Sequence, residues 1–281
     1  MRENVGDRNV QPRDHRGSAQ VVVCFEGSDP AARAAAVELA HRLAIPFRDA
    51  VESAADAAEL VLARTDRRLE LREPGGRHRP SIHVDFVGGA TGFRRRSGAS
   101  RNQLIAKAVG LRAGVVSVLD ATAGLARDAF LLSCLGCCVV AVERNPILAA
   151  LIEDGIHRAR REGTAELRRI IERIALVSAD ARDVLRKATD ADAPDAVYID
   201  PMYPAKSKTA LAKKEMRICR RLVGDDADAA DLLTVARSVA KRRVVVKRAR
   251  LASPLGPEPD VQYVGKQVRY DVYLTAVGAR D

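Results

Sequence analysis

From Val115 onward the chain keeps a rhythm that few folds accommodate: a short apolar run, a carboxylate near its end, then a helical pattern. Val115–Leu119, Val139–Val142, Ile174–Val177 and Ala196–Ile199 are the apolar runs, with helices predicted at Ala126–Leu135 and Pro146–Arg161. Short continuous apolar strands alternating with helices predict a parallel sheet covered on both faces. A helix pair at Thr209–Leu222 and Ala227–Ala240 leads to a strand at Val244–Val246, and Gln262–Val264 with Tyr270–Thr275 reads as an antiparallel pair. The expected fold class is therefore α/β: a Rossmann-like, mostly parallel sheet over 113–281, closed by a C-terminal antiparallel hairpin.

Upstream, Met1–Gln20 is polar without hydrophobic period and reads as a flexible tail. Val21–Phe25 reads as a strand, and Ser28 or Asp29 can cap a helix that carries Pro30 in its first turn and runs to about Leu43. Leu60–Ala63, Leu69–Arg72 and Ile82–Phe86 read as short strands separated by turn residues. The expectation is a small N-terminal α/β domain over 21–112.

No run of about 18 apolar residues exists and the first twenty residues lack a signal-like apolar core, which predicts a cytoplasmic protein with no membrane segment. Five scattered cysteines argue for a reducing compartment and against a disulfide framework. Cys134, Cys137 and Cys138 have no partner pair or nearby histidine, and the histidines lack ligand spacing, so packing is the expected role and no metal is assigned.

The net charge of +10 is concentrated in three windows. Phe86–Arg112 holds six basic residues and no acid, Ala205–Arg221 seven and one acid, and Arg237–Arg250 seven and none. Such blocks are a footprint for neutralising phosphates. With aromatics at 4%, a base-stacking sheet is not expected.

The chemistry concentrates at strand ends. Asp120-Ala121-Thr122-Ala123-Gly124-Leu125-Ala126-Arg127-Asp128 is a strand, a turn of small residues and a helix start, a device that brings backbone amides close to a nucleotide-like cofactor. Its spacing lacks the three glycines of a dinucleotide site. Glu143 ends the second strand, where an acid can accept hydrogen bonds from ribose hydroxyls; Asp180, after the third, is positioned for an adenine amino group. Asp200-Pro201-Met202-Tyr203-Pro204 follows the fourth. An amine on a nucleobase is a poor nucleophile because its lone pair is delocalised. A carboxylate and a backbone carbonyl accepting its protons favour pyramidalisation. Asp200 and the Pro201 carbonyl suit those catalytic roles, and Tyr203 can stack on the base in line with a methyl donor.

These stretches, together with Val84-Asp85-Phe86-Val87-Gly88-Gly89-Ala90, Glu143-Arg144-Asn145-Pro146, Lys213-Lys214-Glu215-Met216-Arg217 and Val244-Val245-Val246-Lys247-Arg248, resemble the RsmJ family of 16S ribosomal RNA guanine-N2 methyltransferases. The likeness runs from about Ile82 to the C-terminus. It implies a class I methyltransferase fold with S-adenosyl-L-methionine as cofactor. It also implies cofactor contacts at Arg127, Asp128, Glu143, Arg144, Asp180, Ala181 and Asp200, beside Asp120 and Gly124 of the first turn. The implied partner is 16S rRNA or the small ribosomal subunit, with Arg94, Arg95, Arg96, Lys213, Lys214, Arg217, Lys247 and Arg248 holding its backbone. Ala126 stands where the family commonly has glycine, Ala249 where it has proline, and Asp180-Ala181 where it has two serines. An adenine-N6 or DNA amino-methyltransferase would use the same Asp-Pro-x-aromatic chemistry. A non-catalytic ribosome-assembly protein on the same fold is the alternative from another class.

Overall fold

The computed structural model describes residues 19–49, 58–74, 81–88, 102–201, 210–223 and 228–275, with backbone only at 210–214 and 216. The first part forms a five-stranded sheet ordered β2-β1-β3-β4-β5, from β1 (Val21–Glu26), β2 (Phe47–Arg48), β3 (Leu60–Thr65), β4 (Leu69–Arg72) and β5 (Ser81–Ile82). Helix α1 (Pro30–Leu43) crosses from β1 to the sheet edge. Asp29, not Ser28, caps it: the Asp29 side chain accepts the Ala31 N–H, and Pro30 fills the first turn, where no N–H is needed.

The second part is a seven-stranded sheet ordered β11-β12-β10-β9-β6-β7-β8. Its strands are β6 (Ser117–Asp120), β7 (Cys138–Glu143), β8 (Ile174–Ser178), β9 (Ala196–Ile199), β10 (Arg243–Ala249), β11 (Val261–Val264) and β12 (Val268–Leu274). All neighbours pair in parallel except β12, which is antiparallel to both β10 and β11. The expected closing hairpin is therefore present. Strand order reverses between β6 and β9, and in an open sheet that switch point opens the ligand crevice beyond the strand carboxyl ends.

Alternation along each strand divides the core. Val118, Ala141, Tyr198, Val245 and Val272 join one hydrophobic cluster with α3 (Arg127–Cys134), α4 (Pro146–Glu162) and α5 (Ala165–Ile171). Leu119, Val142, Val197, Val244 and Val246 face the other way, against α6 (Ala181–Lys187) and α8 (Ala229–Val239). The first cluster continues into the N-terminal sheet through Leu60, Leu71, Ile82 and Val84. Phe86 stacks on Phe130 at 4.9 Å between ring centroids. Gly155 of α4 is what lets Val84 sit down: a Cβ there would lie 2.6 Å from Val84 Cγ1. Arg158 donates to the Val84 carbonyl and pairs with Asp154, which also holds Arg64 at 2.6 Å.

The short helices α2 (Leu104–Val109), α5 and α6 have no counterpart in the sequence reading. At six or seven residues they are too short to be stable by propensity alone and form because the sheet receives their apolar side chains. Asn145 caps α4 by accepting from the Ile147 and Leu148 N–H groups. The start of α3 is unlike the others: Ala126 precedes it at φ 54°, ψ 29°, fully buried. A left-handed L-residue is strained by about 1–2 kcal/mol. Relief of that strain should offset the usual loss from removing a methyl group. Ala126→Gly is accordingly expected to lie about 1 kcal/mol or more above Ala129→Gly, a buried position within α3, when urea midpoints are compared.

Candidate active site at the strand carboxyl ends

The first half of the site is the junction of the β6 and β7 loops. Gly124, at φ 57°, turns the chain toward α3, and its N–H donates to Glu143 Oε2 at 2.7 Å. Glu143 Oε1 accepts the Asn145 N–H at 2.8 Å, and the Ala123 N–H reaches the Val142 carbonyl. Glu143 is buried, so its carboxylate is clamped between the two loops. A Cβ placed on Gly124 would meet only the Thr122 carbonyl, at 3.9 Å, so the turn presents an open face.

Beyond β8, Asp180 caps α6 and grips Arg182 at 2.6 Å. That hydrogen-bonded guanidinium holds the Asp180 carboxyl below the usual carboxylate range. Arg182 and Arg144 both reach Asp228, just before α8, each at 2.9 Å. The loops after β7 and β8 are thus tied to α8.

The second half lies across the switch point. The Asp200 N–H donates to Thr122 Oγ1 at 2.7 Å and the Ala121 N–H to the Tyr198 carbonyl, joining the ends of β9 and β6. Lys247 of β10 places Nζ 2.7 Å from Asp128 Oδ2 and 2.7 Å from Asp200 Oδ2. The Tyr198 hydroxyl donates to the same Asp128 oxygen at 2.7 Å. Burial would lower the Lys247 pKa, but Asp200 and Asp128 reverse this and raise it, so the ammonium stays charged. Burial raises the Tyr198 phenol, with Asp128 adding to the effect. Beneath them Asp120 is fully enclosed, and burial, with Asp128 next in weight, pushes its carboxyl up to about 8.

A family model described as "Putative SAM-dependent methyltransferase" matches residues 47–275. The protein named ribosomal RNA small subunit methyltransferase J from Pseudomonas aeruginosa (strain LESB58) is 46% identical over 241 residues, 85% of this chain and 89% of its own. The namesake from Coxiella burnetii (strain RSA 331 / Henzerling II) is 46% identical over 249 residues, 88% and 94% of the two chains. The chain belongs to the methyltransferase J family. A solved SAM-dependent methyltransferase from Neisseria gonorrhoeae superposes with a TM-score of 0.68 at 34% identity, covering 91% of this chain and 96% of that one. As a member of the methyltransferase J family the chain is a SAM-dependent enzyme with the class I fold, and SAM is its cofactor. The residues present fit that group: an open turn of small residues after β6 and an oriented carboxylate after β7 are joined by a hydrogen bond at the carboxyl edge of the sheet.

Asp120, Gly124, Arg127, Asp128, Glu143, Arg144, Asp180, Ala181 and Asp200 all lie at this carboxyl edge or in the first turn beyond it. Their side chains are not equivalent. Arg127 pairs with Glu215 of α7 (Ala210–Val223) at 2.6 Å, and Ala181 is buried in the first turn of α6. Pro201 is buried next to Asp200, whereas Tyr203 and Arg94, Arg95 and Arg96 lie outside the described residues. Lys213 and Lys214 fall on α7, where only the backbone is described, and exposed Arg217 is held by Glu73 of the N-terminal part at 3.0 Å.

Lys247 and Arg248, both expected to hold the RNA backbone, are placed differently from one another. Lys247 and Arg248 are neighbours on a strand, so their side chains leave opposite faces. Lys247 enters the site with Tyr198. Arg248 is buried and donates to the Ser253 carbonyl. They do not form one phosphate-facing stripe. Nearby, Arg242 donates to the Ala113 carbonyl at 2.5 Å and Arg243 packs under Gly110, so much of this basic window is structural.

Sequence reasoning missed Tyr198 and the Lys247 bridge. A tyrosine inside an otherwise apolar strand was the available signal, because a buried hydroxyl needs a partner.

Proposed function

We propose that the chain methylates the exocyclic N2 of one guanine in 16S rRNA, in the small ribosomal subunit, within the cytoplasm. The observation that carries this reading is the position of Asp200: its carboxylate sits at the switch point, steadied by Lys247, beside the Gly124–Glu143 junction. The names of the relatives support the rRNA substrate.

In this reading Glu143 receives the ribose hydroxyls of SAM, the Gly124 turn admits its nucleoside, and Asp128, Asp180 and Ala181 border it, with Arg127 and Arg144 at the rim. An ionised carboxylate offers about four acceptor positions, enough to hold two backbone N–H groups and receive hydroxyls. SAM supplies an electrophilic methyl group on a sulfonium. The guanine must leave its stack to present N2. Asp200 and the Pro201 carbonyl then accept hydrogen bonds from the amine, directing its lone pair outward, while Tyr203 holds the ring plane. Alignment and hydrogen-bond acceptance are the main contributions. As the nitrogen–methyl bond forms, the methyl–sulfur bond would break to leave a neutral thioether, and the cationic nitrogen would lose its proton to solvent water. Arg94, Arg95, Arg96, Lys213, Lys214 and Arg217 would contact RNA phosphates and set register, not sequence.

The test is transfer of tritiated methyl groups to naked 16S rRNA, small subunits, tRNA and DNA, followed by digestion to nucleosides. Label in N2-methylguanosine from small-subunit RNA is expected. Label in N6-methyladenine or in DNA would overturn the guanine assignment, and RNA binding without SAM binding would favour a non-catalytic assembly role.

A further inference from the structure

Two carboxylates from two elements meet at one ammonium, with the buried carboxyl of Asp120 beneath them. Asp120 ends β6, Asp128 opens α3 and Asp200 follows β9; Lys247 enters from β10 and contacts the latter two at 2.7 Å each. Like charges this close disfavour simultaneous ionisation. Without a cation, the cluster would relieve itself by taking up protons, and a protonated Asp200 would be a poor acceptor for an amine.

Among the described residues two phenols also border the cluster. Tyr198 donates its hydroxyl hydrogen bond to Asp128. The second is Tyr270, opposite Lys247 on β12 and 6.5 Å from the Tyr198 ring between centroids. Lys247 itself is charged and has no lone pair, so it does not serve as the proton acceptor.

We infer that Lys247 is a positioning residue for methyl transfer: by bridging Asp128 and Asp200 it keeps the Asp200 carboxylate ionised and aimed toward the crevice. This rests on the role given to Asp200 above. Register explains why β10 supplies the group. Val246 pairs with Ile199, so the next residue on each strand, Lys247 and Asp200, leave the sheet side by side.

Lys247→Gln keeps a donor and loses the charge, Lys247→Met loses both, and Lys247→Arg restores the charge. For Gln and Met, the acid limb of the kcat–pH profile is expected to move up by about 1–3 pH units, the size of shift that an adjacent opposite charge produces. The Met plateau is expected to fall about tenfold further as the carboxylate loses its tether. Lys247→Arg should return the limb toward wild type. An equal fractional loss at every pH, or an unchanged profile in Gln and Met, would overturn the inference. A second measurement is independent of turnover. With carbon-13 carboxyl-labelled aspartate, and Asp200→Asn to assign the signal, the Asp200 titration should move upward in Lys247→Gln and stay in place in Lys247→Arg. An unmoved titration refutes the positioning role. Failure of the wild-type protein to methylate rRNA refutes the proposed substrate while leaving that titration to decide the role of Lys247.

Discussion

Asp200→Asn is expected to lower kcat for methyl transfer by about 10²- to 10⁴-fold, the range that a positioned acid–base group contributes. The substitution is nearly isosteric, and the Asp200 N–H bond to Thr122 is a backbone contact that the variant keeps. What changes is polarity. If the amide places its NH2 where a carboxylate oxygen now sits, a donor faces either the Lys247 ammonium or the substrate amine. The first sets a donor against the ammonium and leaves the amine only a neutral, weaker oxygen acceptor, and the second removes the acceptor altogether. Single-turnover kinetics on small-subunit RNA, with SAM affinity measured separately, is the check. Activity within a fewfold of wild type would exclude Asp200 from the transfer step.

Glu143→Gln should act on stability and cofactor affinity together. Both Glu143 oxygens accept backbone N–H groups, from Gly124 and Asn145, in a buried position. Glutamine has one oxygen, so one of those N–H groups meets an NH2 instead. A buried donor left without an acceptor costs about 1–3 kcal/mol. The same exchange removes a charged acceptor for ribose, and a hydrogen bond to a charged group contributes about 1.5–3 kcal/mol, or roughly 10- to 100-fold in SAM affinity. Urea denaturation and calorimetric titration read the two effects. Retention of wild-type SAM affinity alongside lowered stability would confine Glu143 to holding the loops together.

Much of this architecture was legible beforehand because strands buried on both faces must be short and apolar, and those of the parallel sheet are. Ala196–Ile199 was bounded correctly from its apolar run between polar residues, and the antiparallel closing pair followed from two such runs separated by turn residues. The acids at strand ends were legible for a related reason: a carboxylate directly after a buried strand is tolerated where it has a crevice and backbone donors to face. The short helices α2, α5 and α6 were not legible, because tertiary packing and not local propensity holds them. The extent of contact between the two sheets was equally hidden. It depends on Gly155 admitting Val84 and on Arg64, Asp154 and Arg158 meeting from distant segments.

The linear order of residues was enough to indicate the fold class, the resemblance to one methyltransferase family and which acids follow the strands. Each rests on local pattern, since periodicity, turn chemistry and strand-end position are properties of neighbouring residues. The partners of those acids were decided only in three dimensions. Lys247 belonged on paper to a basic window suited to RNA phosphates, yet β10 lies beside β9 and its alternation sends Lys247 to Asp200 and Arg248 to the opposite face. Charge counted along a chain is blind to which face of a sheet a side chain leaves, and in this protein that choice separates a cation available to a ligand's phosphates from one that holds a carboxylate in place.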